Sequence, residues 1–164
     1  MGGPDVEVEW YAGDREALRP LFELAEDSPA QLETYLRQGR VLVARAGSAV
    51  VGHLQVVDDG HDGHVQLKNM AVRADHRRRG LGGHLVRTAF RVLAAEGATI
   101  VRVATAAADT ANLHFYQRQG FRMRSIERDV FTVAGGYPSG HQIDGIALRD
   151  RVWLDVELPF PPAP

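Results

Sequence analysis

One segment limits what this chain can become more than any other: Lys68-Asn69-Met70-Ala71-Val72-Arg73-Ala74-Asp75-His76-Arg77-Arg78-Arg79-Gly80-Leu81-Gly82-Gly83-His84. It reads as a strand, a short turn, an arginine-rich loop with three glycines, and the start of a helix. Leu81, Leu85, Ala89, Val92 and Leu93 share one face at helical spacing, which predicts a helix from about Leu81 to Glu96, stopped by Gly97. A strand feeding a glycine loop and then a helix builds an anion site. Glycine lets the backbone approach a ligand and adopt positive φ. The first helical turn offers unpaired N–H groups at the positive end of the dipole. A pyrophosphate is the natural occupant, with Arg77, Arg78 and Arg79 adding charge beside it. Taken alone, the arginine triplet reads more readily as a solvated face than as a functional feature. Nucleotide-binding loops are a poorer match: no Gly-x-Gly-x-x-Gly follows the strand, and no Gly-Lys-Ser/Thr closes the loop.

The rest of the chain alternates strand and helix signals. Val6 to Trp10 alternates apolar with acidic residues, as a half-buried strand does. Asp14 is placed to cap a helix with Ala17, Leu18, Leu21, Phe22 and Ala25 on one face, and Ser28-Pro29 with Gln31 opens a second helix ending at Gly39. Strands are predicted at Arg40–Ala46, Ala49–Val57 and His64–Val72, the last two joined by the turn formers Asp58-Asp59-Gly60-His61-Asp62-Gly63. Beyond the long helix come a strand at Ile100–Ala104, a helix from Thr110 to Gln119 capped by Asp109, a strand from Phe121, and a last strand from Arg151 to Leu158. Residues 1–158 therefore form a single α/β domain, and the proline-rich residues 159–164 form a loose tail.

Composition narrows the function. Across 164 residues the formal net charge is −2, which argues against a general nucleic-acid binder. No cysteine is present, so disulfides, thiolate metal sites and a cysteine nucleophile are excluded. No apolar run approaches the roughly 20 residues of a membrane span, and the amino end lacks a signal-peptide pattern, so a cytoplasmic protein without membrane partners is expected. Lys68 is the only lysine among many arginines, which reads as genomic composition of a bacterium. His61-Asp62-Gly63-His64 and Asp58-Asp59-Gly60 are explained by a turn, and no metal is expected.

Arg77, Gly80 and Gly82 spell Arg-x-x-Gly-x-Gly after the triplet Met70-Ala71-Val72. This resembles the acetyl-CoA motif of the GNAT superfamily of N-acetyltransferases. A second match lies in Phe115-Tyr116-Gln117-Arg118-Gln119-Gly120-Phe121, with Tyr116 standing 36 residues beyond Gly80. The resemblance is good from about Val41 to Phe121. It implies a twisted mixed sheet of six to seven strands, split between the two strands that flank the cosubstrate, with helices on both faces. Backbone amides from Arg78 to Gly83, Leu81 among them, would hold the pyrophosphate, and Met70 and Val72 would pair with the pantetheine arm and thioester. Asn112 would bond the same arm. Tyr116 would act as general acid toward the leaving thiolate, a role that suits a phenol with an ordinary pKa of about 10. The activity implied is direct acetyl transfer from acetyl-CoA to a primary amine, on a small molecule or a peptide. Relatives are often dimers.

The sequence departs from the resemblance at the base. Many relatives place a glutamate on the strand before the glycine loop, but Gln66 stands there, able to order a water or line the tunnel but not to take a proton. Glu26, Asp27 and Glu33 in the first helical pair are the alternatives, with His114 behind them. The first helices, the Asp58–Gly63 turn and the stretch from Phe131 to Gly145 are expected to shape the acceptor pocket. Gln66 also keeps open a module that binds acyl-CoA as a sensor without transferring the acyl group.

Overall fold

The computed structural model describes residues 5–159. The chain runs β1 (Val6–Trp10), α1 (Arg19–Glu23), α2 (Pro29–Tyr35), β2 (Arg40–Ala46), β3 (Ala49–Asp58), β4 (His64–Val72), α3 (Leu81–Ala95), β5 (Ile100–Ala106), α4 (Thr110–Arg118), β6 (Arg122–Glu127), a short hairpin of β7 (Gln142–Ile143) and β8 (Ile146–Ala147), and β9 (Arg151–Glu157). The tail expected at residues 159–164 lies outside the described residues except for Pro159. No helix among the described residues is long and apolar enough to cross a membrane.

Seven strands form one mixed sheet in the order β1-β2-β3-β4-β5-β9-β6. All neighbours are antiparallel except β4 and β5. Period-two alternation divides the core. Leu42 and Ala44 of β2 pack toward the large cluster that includes Leu85, Val86, Ala89 and Leu93 of α3, whereas Val41 and Val43 face Leu18, Phe22, Leu32 and Leu36 on the other side. The helices thus cover both faces. β9 comes last in the sheet's sequence yet slots between β5 and β6, burying Val152, Leu154 and Val156 under the α3 face.

The single helix expected after Asp14 is broken. Asp14 does cap, accepting from the Glu16 N–H at 3.0 Å, but the turn it opens (Arg15–Leu18) is a 3-10 helix, and α1 begins anew at Arg19. Pro20 is the cause: it lacks an N–H, and its ring would clash with the Glu16 carbonyl in a continuous α-helix. Leu18, Leu21 and Phe22 are buried as the pattern requires, while Ala17 and Ala25 are exposed. Ser28 caps α2 through the Gln31 N–H at 3.2 Å, and its own hydroxyl donates to the Gly135 carbonyl at 3.0 Å, tying a distant loop to this helix.

Beneath α1 the sheet carries a buried imidazole. His53 is stacked on Phe22 at 4.3 Å between centroids, with Nε2 2.7 Å from Asn69 Oδ1 and no partner for Nδ1 among the described residues. Burial lowers its pKa from 6.5 to about 4, against the opposing effect of the Asn69 hydrogen bond. The unfolded chain therefore holds one more proton than the native one between pH 6.5 and pH 4, and stability falls as pH drops through that window. A loss of up to about 3 kcal/mol is expected, read as urea midpoints at pH 7, 5.5 and 4.5. A His53→Gln variant should lose that part of the acid slope; an unchanged slope would show that His53 is not its source.

Candidate active site

The only parallel pair in the sheet comes apart. β4 and β5 are in register from His64↔Ile100 to Leu67↔Val103 and no further. Beyond that point β4 stays paired to β3 as far as Gly52↔Val72, and β5 to β9 as far as Ala106↔Arg151. A bulge begins the divergence: Val56 faces Leu67 while Gln55 faces Asn69, leaving Lys68 as the extra residue of β4. Each strand then has a partner outside and none inside, and a cleft of about 1090 Å³ opens between them. The Arg73 N–H bonds Val51 on β3 at 2.8 Å, so by antiparallel alternation the backbone groups of Met70 and Val72 aim into the cleft, with Ala71 turned toward β3. Arg77 confirms this direction by donating Nε–H to the Val72 carbonyl at 3.0 Å.

At the mouth of the cleft stands the amino end of α3, 15 residues long and without a side-chain cap. The first helical bond runs from the His84 N–H to the Gly80 carbonyl at 3.0 Å, so the amides of Leu81, Gly82 and Gly83 are free of intrahelical partners. The loop reaches them through two left-handed residues, Arg78 at φ 61° and Gly80 at φ 77°. For arginine that conformation is uncommon, and it marks a loop shaped for something other than its own stability. Gly82 packs closely on α4: a Cβ there would lie 3.2 Å from the Phe115 ring, which would have to give by a few tenths of an ångström. Arg77 and Arg78 line the cleft, whereas Arg79 is exposed and outside it.

α4 closes the other wall. Asp109 caps it, accepting from the Asn112 N–H at 3.0 Å, and Asn112 lines the cleft. Tyr116 is buried edge-on between Phe115 and Phe121, at 5.2 and 5.7 Å, with its hydroxyl making no hydrogen bond among the described residues. Burial first, and the nearby Asp109 second, push its pKa well above that of an ordinary phenol. Gln66 sits half-buried where the strands still touch, across from Arg102.

The far end of the cleft contains a polar network that the sequence did not announce. Glu26 accepts from the Tyr35 hydroxyl at 3.0 Å, the Tyr137 hydroxyl at 3.2 Å and the Ser28 N–H at 3.3 Å. Asn69 donates to the same Tyr35 oxygen at 3.0 Å. Burial and then Glu26 raise Tyr137 to about 12, and burial raises Tyr35 further, so both phenols remain neutral donors. Asp27 lines the cleft near His141, at 3.6 Å, whereas Glu33 is paired with Arg19 at 2.5 Å outside it. His114 is exposed and outside the lining. The residues from Phe131 to Asp144 do supply wall, but the Asp58–Gly63 turn does not: it lies at the opposite end of β4, against the carboxyl end of α3. There Asp59, His61 and His64 bring possible ligand atoms within 4.8 Å of one another, with the Asp59 carboxylate already accepting from Arg102 at 3.1 Å.

A free helix amino end beside two parted strands, with a tyrosine in the wall, defines a class, and the chain belongs to it: the acetyltransferase (GNAT) family model matches residues 8–121. Among particular relatives, it is 29% identical over 158 residues to YvbK, an uncharacterized N-acetyltransferase of Bacillus subtilis, covering 96% of this chain and 100% of that one. An IAA acetyltransferase from Bacillus cereus shares 30% identity with a TM-score of 0.83, over 94% of this chain and 100% of its own. A Bacillus subtilis acetyltransferase solved in complex with CoA shares 27% with a TM-score of 0.84, over 94% and 99%.

Proposed function

We propose that the protein transfers acetyl from acetyl-CoA directly to a primary amine. The observation that carries this reading is one continuous cleft with three different ends: unpaired α3 amides at its mouth, the unpaired edge of β4 along its side, and the Glu26 network beyond. The amides of Leu81 to Gly83, with Arg77 and Arg78, suit the pyrophosphate, and the cleft-facing backbone of Met70 and Val72 suits the amides of the pantetheine arm. Asn112 stands along the same path. A related acetyltransferase, solved in complex with CoA, supports the choice of ligand.

The amine nitrogen attacks the thioester carbonyl, the C–N bond forms and the C–S bond breaks. The phenol of Tyr116 gives its proton to the departing sulfur; held neutral by burial, it arrives at that step as a donor. Of the carboxylates considered, Glu26 and Asp27 line the cleft. Glu26, fixed by three donors, receives the amine's proton through water, with Gln66 ordering water at the apex of the split. Gln66 in a carboxylate's place is the feature that favours the competing sensor reading.

Titrating acetyl-CoA into the ligand-free protein by calorimetry, then screening amines for release of free thiol, separates the two. Saturable binding with amine-dependent thiol release is expected. Binding without release under any amine would support the sensor, and no binding at all would sink both.

A further inference from the structure

Six residues form a chain of contacts along the acceptor end of the cleft, with a cation at each end of it. The Lys68 ammonium lies 4.8 Å from the centre of the Tyr35 ring. Tyr35 bonds Glu26 at 3.0 Å, and Glu26 accepts from Tyr137 at 3.2 Å. Tyr137 packs edge-on against Phe131, centroids 5.0 Å apart, and the Arg151 guanidinium carbon lies 5.4 Å from the centre of Phe131. All six line the same cleft. The set is electrically lopsided. Its anion, Glu26, is satisfied three times over. Its cations are not: Lys68 makes no ion pair or hydrogen bond among the described residues, and Arg151 has only Glu127 at 3.6 Å. Some arginines outside the set do find carboxylates at short range, as Arg40 does with Glu96 at 2.6 Å. Lys68 is also the residue that the β4 bulge sets into the opening, and the only lysine of the chain.

We infer that the acceptor is an amino-carboxylate, its anionic group held between Lys68 and Arg151 and its amine turned toward Glu26 and the parted strands. The planar guanidinium of Arg151 matches a carboxylate, and the lysine supplies a second charge. An anion there removes a standing penalty, since partial burial and the neighbouring Arg151 both push the Lys68 pKa below the ordinary lysine range, with only Glu26 opposing them. The aromatic rings supply apolar wall without competing for either charge. This inference rests on the transferase reading, so its test must fail separately from that reading.

The test compares kcat/KM at saturating acetyl-CoA for the common amino acids and short ω-amino acids, each beside its carboxamide and its decarboxylated amine. The carboxylate member of the best set should be preferred roughly 10- to 100-fold. Lys68→Met and Arg151→Met should each erase most of that preference by raising KM for the carboxylate far more than for the carboxamide, with acetyl-CoA affinity unchanged. Equal or better use of the carboxamides, or a preference that survives both substitutions, overturns the inference and leaves the transferase intact. If nothing is acetylated, the transferase reading falls. Calorimetric titration of the same pairs into CoA-loaded protein then decides the anion site alone: carboxylate-selective binding lost in Lys68→Met sustains it, and no selectivity ends it.

Discussion

Gly80→Asp should weaken acetyl-CoA binding by about 1000-fold while leaving the protein folded. The substitution places a carboxylate at the entrance to the unpaired α3 amides, where the proposed pyrophosphate lies. Two unit charges about 4 Å apart interact by about 4 kcal/mol at an effective dielectric of 20, which corresponds to that factor. Both substitutions strain the backbone, because Gly80 is at φ 77°, but aspartate and asparagine enter that region more readily than other side chains and a Cβ there meets nothing within 4 Å, so the strain is shared by variant and control. Gly80→Asn is the control, with the same shape and no charge, and should lose far less affinity. Calorimetry gives the affinities and a thermal melt the integrity of the fold. Undiminished binding by the aspartate variant would place the phosphates elsewhere.

Tyr116→Phe should lower kcat by about 100- to 10,000-fold and leave acetyl-CoA affinity and melting temperature nearly unchanged. The separation is possible because the Tyr116 hydroxyl makes no hydrogen bond among the described residues; its ring packs on Phe115 and Phe121, and phenylalanine keeps both contacts. Because the phenol is raised above its ordinary pKa, the wild-type rate should show no decline from its ionisation below about pH 10. Single-turnover measurement with a saturating amine reads the chemical step. An unaltered kcat would leave Tyr116 with the role of a core aromatic alone.

Local signals carried much of this structure. The periodicity of residues 81–93 and the glycines around it located α3 and its open end, and Ser28-Pro29 located the start of α2 to the residue. Interactions between segments were not legible. Nothing near Glu26 says that Tyr137, 111 residues away, will bond to it, or that β9 will enter the sheet between β5 and β6. The left-handed Arg78 was equally hidden, because the sequence offers a glycine two positions later as the expected site of positive φ. Lys68 had one available signal, its solitude among arginines, which composition explained without reference to the bulge that places it.

The Ser28 hydroxyl that grips Gly135 has an evolutionary implication. The groups suited to the donor, from Met70 to Tyr116, all fall inside the stretch matched by the family model, residues 8–121. The wall facing the acceptor is completed by Phe131, Tyr137 and Arg151, which fall beyond it, and Ser28 is a hinge pin between the two. Glu26, Tyr35 and Lys68 of that wall lie inside the matched stretch, so only part of the acceptor wall has an address of its own in the gene. On the proposed reading, a lineage can rewrite residues 131–151 and reshape that part of the wall while the groups suited to the donor stay untouched, provided the new loop still finds that serine.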